Sequence, residues 1–530
     1  MISDPVEKRE NEIDDAFNKS HLLDICYSQA MWTVLSVIED YYLKIIFIDQ
    51  IPDEQIYIHI DVLVNSLTYP LRSIFNNHKT LDKRIDYKLI NDHYQWASDW
   101  IDDAKVYDNF YTIFSLSQKK KISLSVRGNK IETSDWKKRP HEYEAYNRLI
   151  RLDGIINEEK KLDLDAIEWE LMQNVTYNET RFSLNLNPKL VKFLVNNYSI
   201  TLDGRYALPD DWKTQYFSFG EFKKIFTTIQ AILYGRFTAL YILARDGMKE
   251  LGYSSSVWVI KRAELISRLQ RYTDVDIHII DKILSYLTFG GEGIRHPDIA
   301  IQPIIDLKNS SLALSPFMWI NSNVERNLCV LLNQIDKDKA LYSKLTQEKE
   351  SILRNEIEQS VKTLAYDVEY GKIDDTDVDI AIIDRVNKVC VCFELKWFIE
   401  PAEIREIIQR SEELEKGVRQ AEKIRQKFID SDNKLINKVL NIDNKYNFYV
   451  AVGSKNWIGH FDVQSKDIPI ITIGHFIQKL RDLGSLKLTA EWLVNREYLP
   501  KENVDYIICE IPLELNSFKS SWYGIKPGTF

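Results

Sequence analysis

Two consecutive apolar strands that carry three charged side chains set the tightest limit on how this chain can fold. Residues 376–384, Thr-Asp-Val-Asp-Ile-Ala-Ile-Ile-Asp, read as one strand. Arg385-Val386-Asn387-Lys388 reads as a tight turn, and residues 389–397, Val-Cys-Val-Cys-Phe-Glu-Leu-Lys-Trp, as the strand that returns. Apolar residues stand at successive positions rather than alternate ones, so both faces need cover and the hairpin belongs inside a sheet. Asp379, Glu394 and Lys396 interrupt it. A period of two puts Glu394 and Lys396 on one face, and the return of the chain brings Asp379 near Glu394. Two carboxylates side by side in a buried sheet raise a pKa or recruit a cation. Hard oxygen ligands suit Mg²⁺. A charged Lys396 cannot ligate it, but can orient or help deprotonate a water, or balance charge on a phosphate.

The spacing Asp379, fourteen residues, Glu394, one residue, Lys396 resembles the PD-(D/E)xK nuclease superfamily, the restriction-endonuclease-like fold, over residues 340–480. The family's Pro is replaced by Val378. The resemblance implies a core of helix, three strands, helix and further strand. A charged helix over residues 339–366 precedes the hairpin, a helix over 403–428 follows it, and strands are expected at 446–452 and 468–473. It implies Asp379, Glu394 and the carbonyl of Leu395 as ligands of Mg²⁺, with Mn²⁺ able to substitute. Lys396 would position the nucleophile. Glu358 is the expected helix carboxylate at the metal or its water shell, with Glu356 second, and Gln420 lies near the catalytic face. Asp377 shares a face with Asp379 and reads as a loop-end residue. The implied reaction is metal-dependent hydrolysis of phosphodiester bonds, DNA favoured. The alternatives are an RNA or tRNA nuclease with the same site, and a catalytically silent nuclease fold that binds or scaffolds.

Elsewhere the chain gives organisation rather than chemistry. Residues 1–250 read as a mainly helical recognition or regulatory region, with apolar residues such as Met31, Leu35 and Ile38 at helical spacing, interrupted by a β-hairpin near 121–130. Residues 251–338 read as a helical pair with short strands, a linker or winged-helix-like subdomain, with Thr273 or Asp274 capping the second helix. That helix carries Asp274, Asp276 and Asp281, a charge sign that favours a structural pair over a DNA reader. Residues 339–530 are expected to form the nuclease-like unit. The fold class expected is therefore mixed: a helical N-terminal region with a hairpin, then an α/β restriction-endonuclease-like domain.

Composition narrows the partners. The formal charge is −10, so nucleic acid has to be met by a local basic patch or by metal ions. The densest basic run is Lys119, Lys120, Lys121, Arg127, Lys130, Lys137, Lys138 and Arg139, with Trp136 available to stack a base; a solvated charged loop is the alternative. Arg419, Lys423, Arg425 and Lys427 offer a second basic stretch beside the proposed site. No Walker loop, zincin motif, Cys-x-x-Cys pair or nucleophile elbow occurs. Five scattered cysteines argue against a disulfide framework and for a reducing cytoplasm. No signal peptide or membrane span is read. A prokaryotic defence or restriction effector, homo-oligomeric or working with a partner protein, is the expectation by architectural analogy.

Overall fold

The computed structural model describes residues 4–528 except 48, 50, 52, 79–83, 158–162, 179–180, 200–207, 248–250, 375, 402 and 464. The boundary expected at 250 falls outside the described residues. Helices account for 57% and strands for 17%, so the class is mixed, with the helices crowding the first half of the chain.

The chain opens with α1 (Pro5–Phe17), α2 (Tyr27–Phe47), α3 (Asp53–Asn77) and α4 (Asn91–Gln118). α2 packs against both α3 and α4 and buries Met31, Leu35 and Ile38, the residues whose spacing marks the helix. The expected hairpin follows as β1 (Ser125–Arg127) and β2 (Lys130–Glu132), with Arg127 and Lys130 paired across a turn at which Gly128 takes a left-handed φ of 60°. Next come α5 (Glu142–Asn157), α6 (Leu164–Met172), a hairpin of β3 (Val175–Asn178) and β4 (Arg181–Leu184), α7 (Pro188–Tyr198) and α8 (Phe219–Arg245). A capping box of Ser218 and Glu221 starts α8. Among the described residues α8 alone is long and apolar enough to cross a membrane, but 78% of its apolar window is buried inside the protein. Its Phe219, Phe222 and Phe226 are core.

After α9 (Leu251–Ser255) come β5 (Trp258–Lys261), α10 (Arg262–Thr273), α11 (Ile277–Leu287), β6 (Ile304–Asp306) and β7 (Ser311–Leu314). The strands form an antiparallel sheet in the order β5-β7-β6. The helical pair lies where its spacing predicts it, but its cap does not. Asp274 takes the left-handed conformation that ends α10 (φ 56°), and Asp276 caps α11 by accepting the His278 amide at 2.8 Å. α12 (Pro316–Ile320) and α13 (Val324–Gln334) follow.

The last third holds α14 (Asp336–Lys362), β8 (Asp367–Ile373), β9 (Thr376–Asp384), β10 (Val389–Lys396), α15 (Ile404–Ile429), β11 (Asn447–Ser454), β12 (Ile470–Thr472), α16 (Ile473–Leu483) and α17 (Leu486–Val494). One sheet has the order β12-β11-β10-β9-β8, antiparallel from β8 to β10 and parallel from β10 to β12. The charged hairpin β9–β10 thus lies mid-sheet, buried from Val378 to Asp384 and from Val389 to Leu395. Phe393 meets Phe476 of α16 edge-on at 4.8 Å, whereas Gly417 of α15 lies against Glu394 and Lys396. α16, which packs on α14, therefore covers one face and α15 the other. The desolvation of two buried carboxylates, several kcal/mol apiece, is borne by this apolar surround.

The final hairpin, β13 (Tyr506–Leu515) and β14 (Phe518–Pro527), leaves this sheet. β14 pairs with β2, giving a four-stranded sheet β1-β2-β14-β13. Trp136 is consequently buried against Tyr523, at a ring separation of 5.6 Å and 4% exposed, and cannot stack a base as its sequence context suggests.

Candidate active site

The β9–β10 register runs from Asp384 opposite Val389 to Ile380 opposite Phe393. One step further it sets Asp379 opposite Glu394, and there the ladder ends. The Leu395 amide donates instead to Asp379 Oδ2 at 2.7 Å. The reason lies on the other edge of β9. β8 pairs as far as Glu369 with Ala381 and resumes at Gly371 with Val378, so Ile380 and Asp379 together oppose the single residue Tyr370. Such a bulge bends the strand and re-aims a side chain. Here it falls at Asp379, whose carboxylate reaches across to β10.

Glu394, 2% exposed, accepts from Lys396 Nζ at 2.7 Å through Oε1, while its Oε2 is buried without a partner. Lys396 Nζ also donates to Gln420 Oε1 at 3.4 Å, which sets Gln420 of α15 beside Lys396. The approach of α15 depends on Gly417. A Cβ there would lie 3.0 Å from Lys396 Cε and 3.6 Å from Glu394 Cγ. A lone glycine inside a 26-residue helix, at a cost of about 1 kcal/mol against alanine, was the sequence signal for this contact. Sequence reasoning passed it over.

The electrostatics follow from this crowding. Burial, then the Glu394 charge, push the Asp379 carboxyl up to about 7, against the pull of the Leu395 amide; Glu350 and Asp377 add to the rise. Burial also pushes Glu394 up, and the Lys396 ammonium only partly offsets it. Burial works against the charge on Lys396, but Glu394 and Asp379 outweigh it and its pKa rises, so it is an ammonium at neutral pH.

The two helix acids expected at the site each hold an ion pair with a lysine. Glu358 pairs with Lys362 at 2.7 Å, and Glu356 with Lys455. Glu350, two turns earlier and about 12 Å along the axis, is the α14 acid whose charge bears on Asp379, Glu394 and Lys396. Asp377 is not a loop-end residue: it lies within β9, opposite Lys372, and acts on both carboxylates. On α15, Lys416, Arg419 and Lys423 are exposed and, among the described residues, make no ion pair. They flank Gln420 along the helix.

Much of the N-terminal basic run is spent internally. Lys121 pairs with Asp462 at 3.2 Å, Lys130 with Glu132, and Lys137 with Glu510 at 2.8 Å; Arg139 donates to the Lys121 carbonyl at 2.6 Å. Lys119, Lys120, Arg127 and Lys138 make no ion pair among the described residues.

Among the described residues no group of three or more His, Cys, Asp or Glu side chains is arranged to hold a metal ion. The donor set of Asp379 and Glu394 nevertheless fits Mg²⁺, which keeps several waters and needs one or two carboxylates. Glu394 Oε1 is taken by Lys396, and its Oε2 is a buried oxygen with a lone pair free for a cation. Comparison with protein-family models, with curated proteins and with solved structures gives no match.

Proposed function

We propose that the chain is a Mg²⁺-dependent nuclease that hydrolyses phosphodiester bonds of DNA at the carboxyl end of β10. The observation that carries this reading is the juxtaposition of Asp379 and Glu394 by strand register, with Lys396 anchored between Glu394 and Gln420. Keeping two carboxylates and an ammonium out of water lowers stability, and a perturbed set of this kind marks functional sites. The order α14, β8 to β10, α15, β11 agrees with the core that the resemblance to the PD-(D/E)xK superfamily implies.

Asp379 and Glu394 would hold the ion, with the Leu395 carbonyl as a further oxygen, and Glu350 is the α14 acid whose charge bears on them. When bound, the ion supplies a water of lowered pKa and neutralises charge on the scissile phosphate. The Lys396 ammonium orients the attacking water and faces the phosphate. Gln420 and Glu394 keep Nζ in place, and Gly417 lets α15 close over it. Lys416, Arg419 and Lys423 meet backbone phosphates of the strand. The helical region joined to such a site matches a prokaryotic defence or restriction effector, by analogy of architecture. Metal-dependent cutting of DNA that disappears in Lys396→Ala tests the assignment. Cutting of RNA alone would move the substrate class and keep the site.

A further inference from the structure

Arg354 reaches Asp379 from α14. Its Nε–H donates to the main-chain carbonyl of Asp379 at 2.8 Å. Its guanidinium carbon lies 4.4 Å from the centre of the Tyr370 ring, the residue that faces the bulge and keeps 51% of its surface exposed. One of the five guanidinium N–H donors is thereby used. Glu350 and Glu358 stand four residues to either side on the same helix, yet among the described residues no carboxylate pairs with Arg354, and Glu358 turns to Lys362 instead. Asp377, Asp379, Glu394 and Glu350 bring four acids to the neighbourhood of the Lys396 ammonium. A polyanionic strand needs further fixed cations to enter such a field.

We propose that Arg354 clamps a phosphate of the substrate strand beside the scissile one through its Nη groups, with Tyr370 fixing the plane of the guanidinium. The inference rests on the nuclease reading. A planar fork held on a ring and anchored at one corner loses little freedom when it takes a phosphate by two parallel hydrogen bonds. The same anchor ties the clamp to Asp379, so the phosphate is located relative to the carboxylates rather than merely attracted to the surface.

The test is binding of a short fluorescein-labelled single strand and of its duplex to the Lys396→Ala chain, by anisotropy over rising KCl, with and without a second change. Adding Arg354→Ala lowers the slope of log K against log salt by about 0.7–0.9, the value of one phosphate contact. Adding Arg354→Lys restores most of that slope because the charge returns, although the hydrogen bond to Asp379 is lost. A scan of single neutral methylphosphonates along the strand reads the contact without altering the protein. One position weakens binding to the Arg354 chain and has no effect on the Arg354→Ala chain. Binding with an unchanged slope and no such position means that Arg354 only props the Asp379 backbone; that overturns the clamp and leaves the nuclease reading standing. No binding of DNA or RNA by a folded Lys396→Ala chain, as judged by circular dichroism, overturns both.

Discussion

Replacing Asp379 by Asn is expected to stabilise the metal-free protein while abolishing its chemistry. The folded chain holds the Asp379 proton with a pKa of about 7 against the ordinary 3.8. For an acid raised in this way, folding carries no penalty below the unfolded value and loses about 1.4 kcal/mol per pH unit between the two. Above the folded value nothing more is lost. The penalty is then about 2 kcal/mol at pH 5.5 and about 4 kcal/mol at pH 8. Asparagine removes it at both pH values and keeps an oxygen for the Leu395 amide. Thermal melts in EDTA read the effect, since about 1 kcal/mol moves the midpoint of a unit this size by about 2–4 °C. Asp379→Asn is expected to melt above wild type, with a lead larger by about 4–8 °C at pH 8 than at pH 5.5. A variant that melts below wild type at pH 8, or a lead that is the same at both pH values, refutes the buried like-charge account of the site.

Gly417→Ala gains about 1 kcal/mol of helix stability but presses a methyl group to 3.0 Å from Lys396 Cε. The midpoint of unfolding is expected to hold or rise while kcat falls about tenfold from the misplaced ammonium; an unchanged kcat contradicts the role of the close approach. Glu350→Gln is expected to weaken the Mg²⁺ dependence of cutting about tenfold, in the range of groups that orient metal ligands, and Glu358→Gln to leave it unchanged; a metal titration with the reverse order restores Glu358. His141 is buried with Nδ1 3.3 Å from Glu144 Oε1. Burial opposes its charge, but the hydrogen bond and charge of Glu144 outweigh it and raise the pKa. Its contribution is therefore full below the ordinary 6.5 and is lost as pH rises through the raised value. His141→Gln is expected to cost about 3 kcal/mol at pH 5.5 and clearly less at pH 9 in denaturant titrations.

The hairpin was legible because its determinants are local. Successive apolar residues fix the burial of β9 and β10, period two fixes Glu394 and Lys396 on one face, and the four-residue turn fixes Asp379 opposite Glu394. The bulge was not legible, since it exists only in the pairing of β9 with β8, whose residues Asp367 to Ile373 look polar on their own. Which α14 acid stands nearest the strand ends is not legible for a similar reason. Glu350 and Glu358 lie close together around the helix, and the sequence does not encode which turn of α14 overlies the strand ends. The burial of Trp136 is not legible in its own segment because the strand that covers it lies at the far end of the chain, with Tyr523. Asp276 displaced Asp274 as the cap of α11 because the chain first has to turn through a left-handed residue to leave α10.

Cleavage of supercoiled plasmid, linear duplex, single-stranded DNA and RNA, each with Mg²⁺, Mn²⁺ or EDTA, tests the account most directly when wild type and Lys396→Ala run side by side. The account predicts cutting of DNA by wild type with either metal, none with EDTA and none by Lys396→Ala. Cutting that persists in EDTA, or that Lys396→Ala performs as well as wild type, contradicts it.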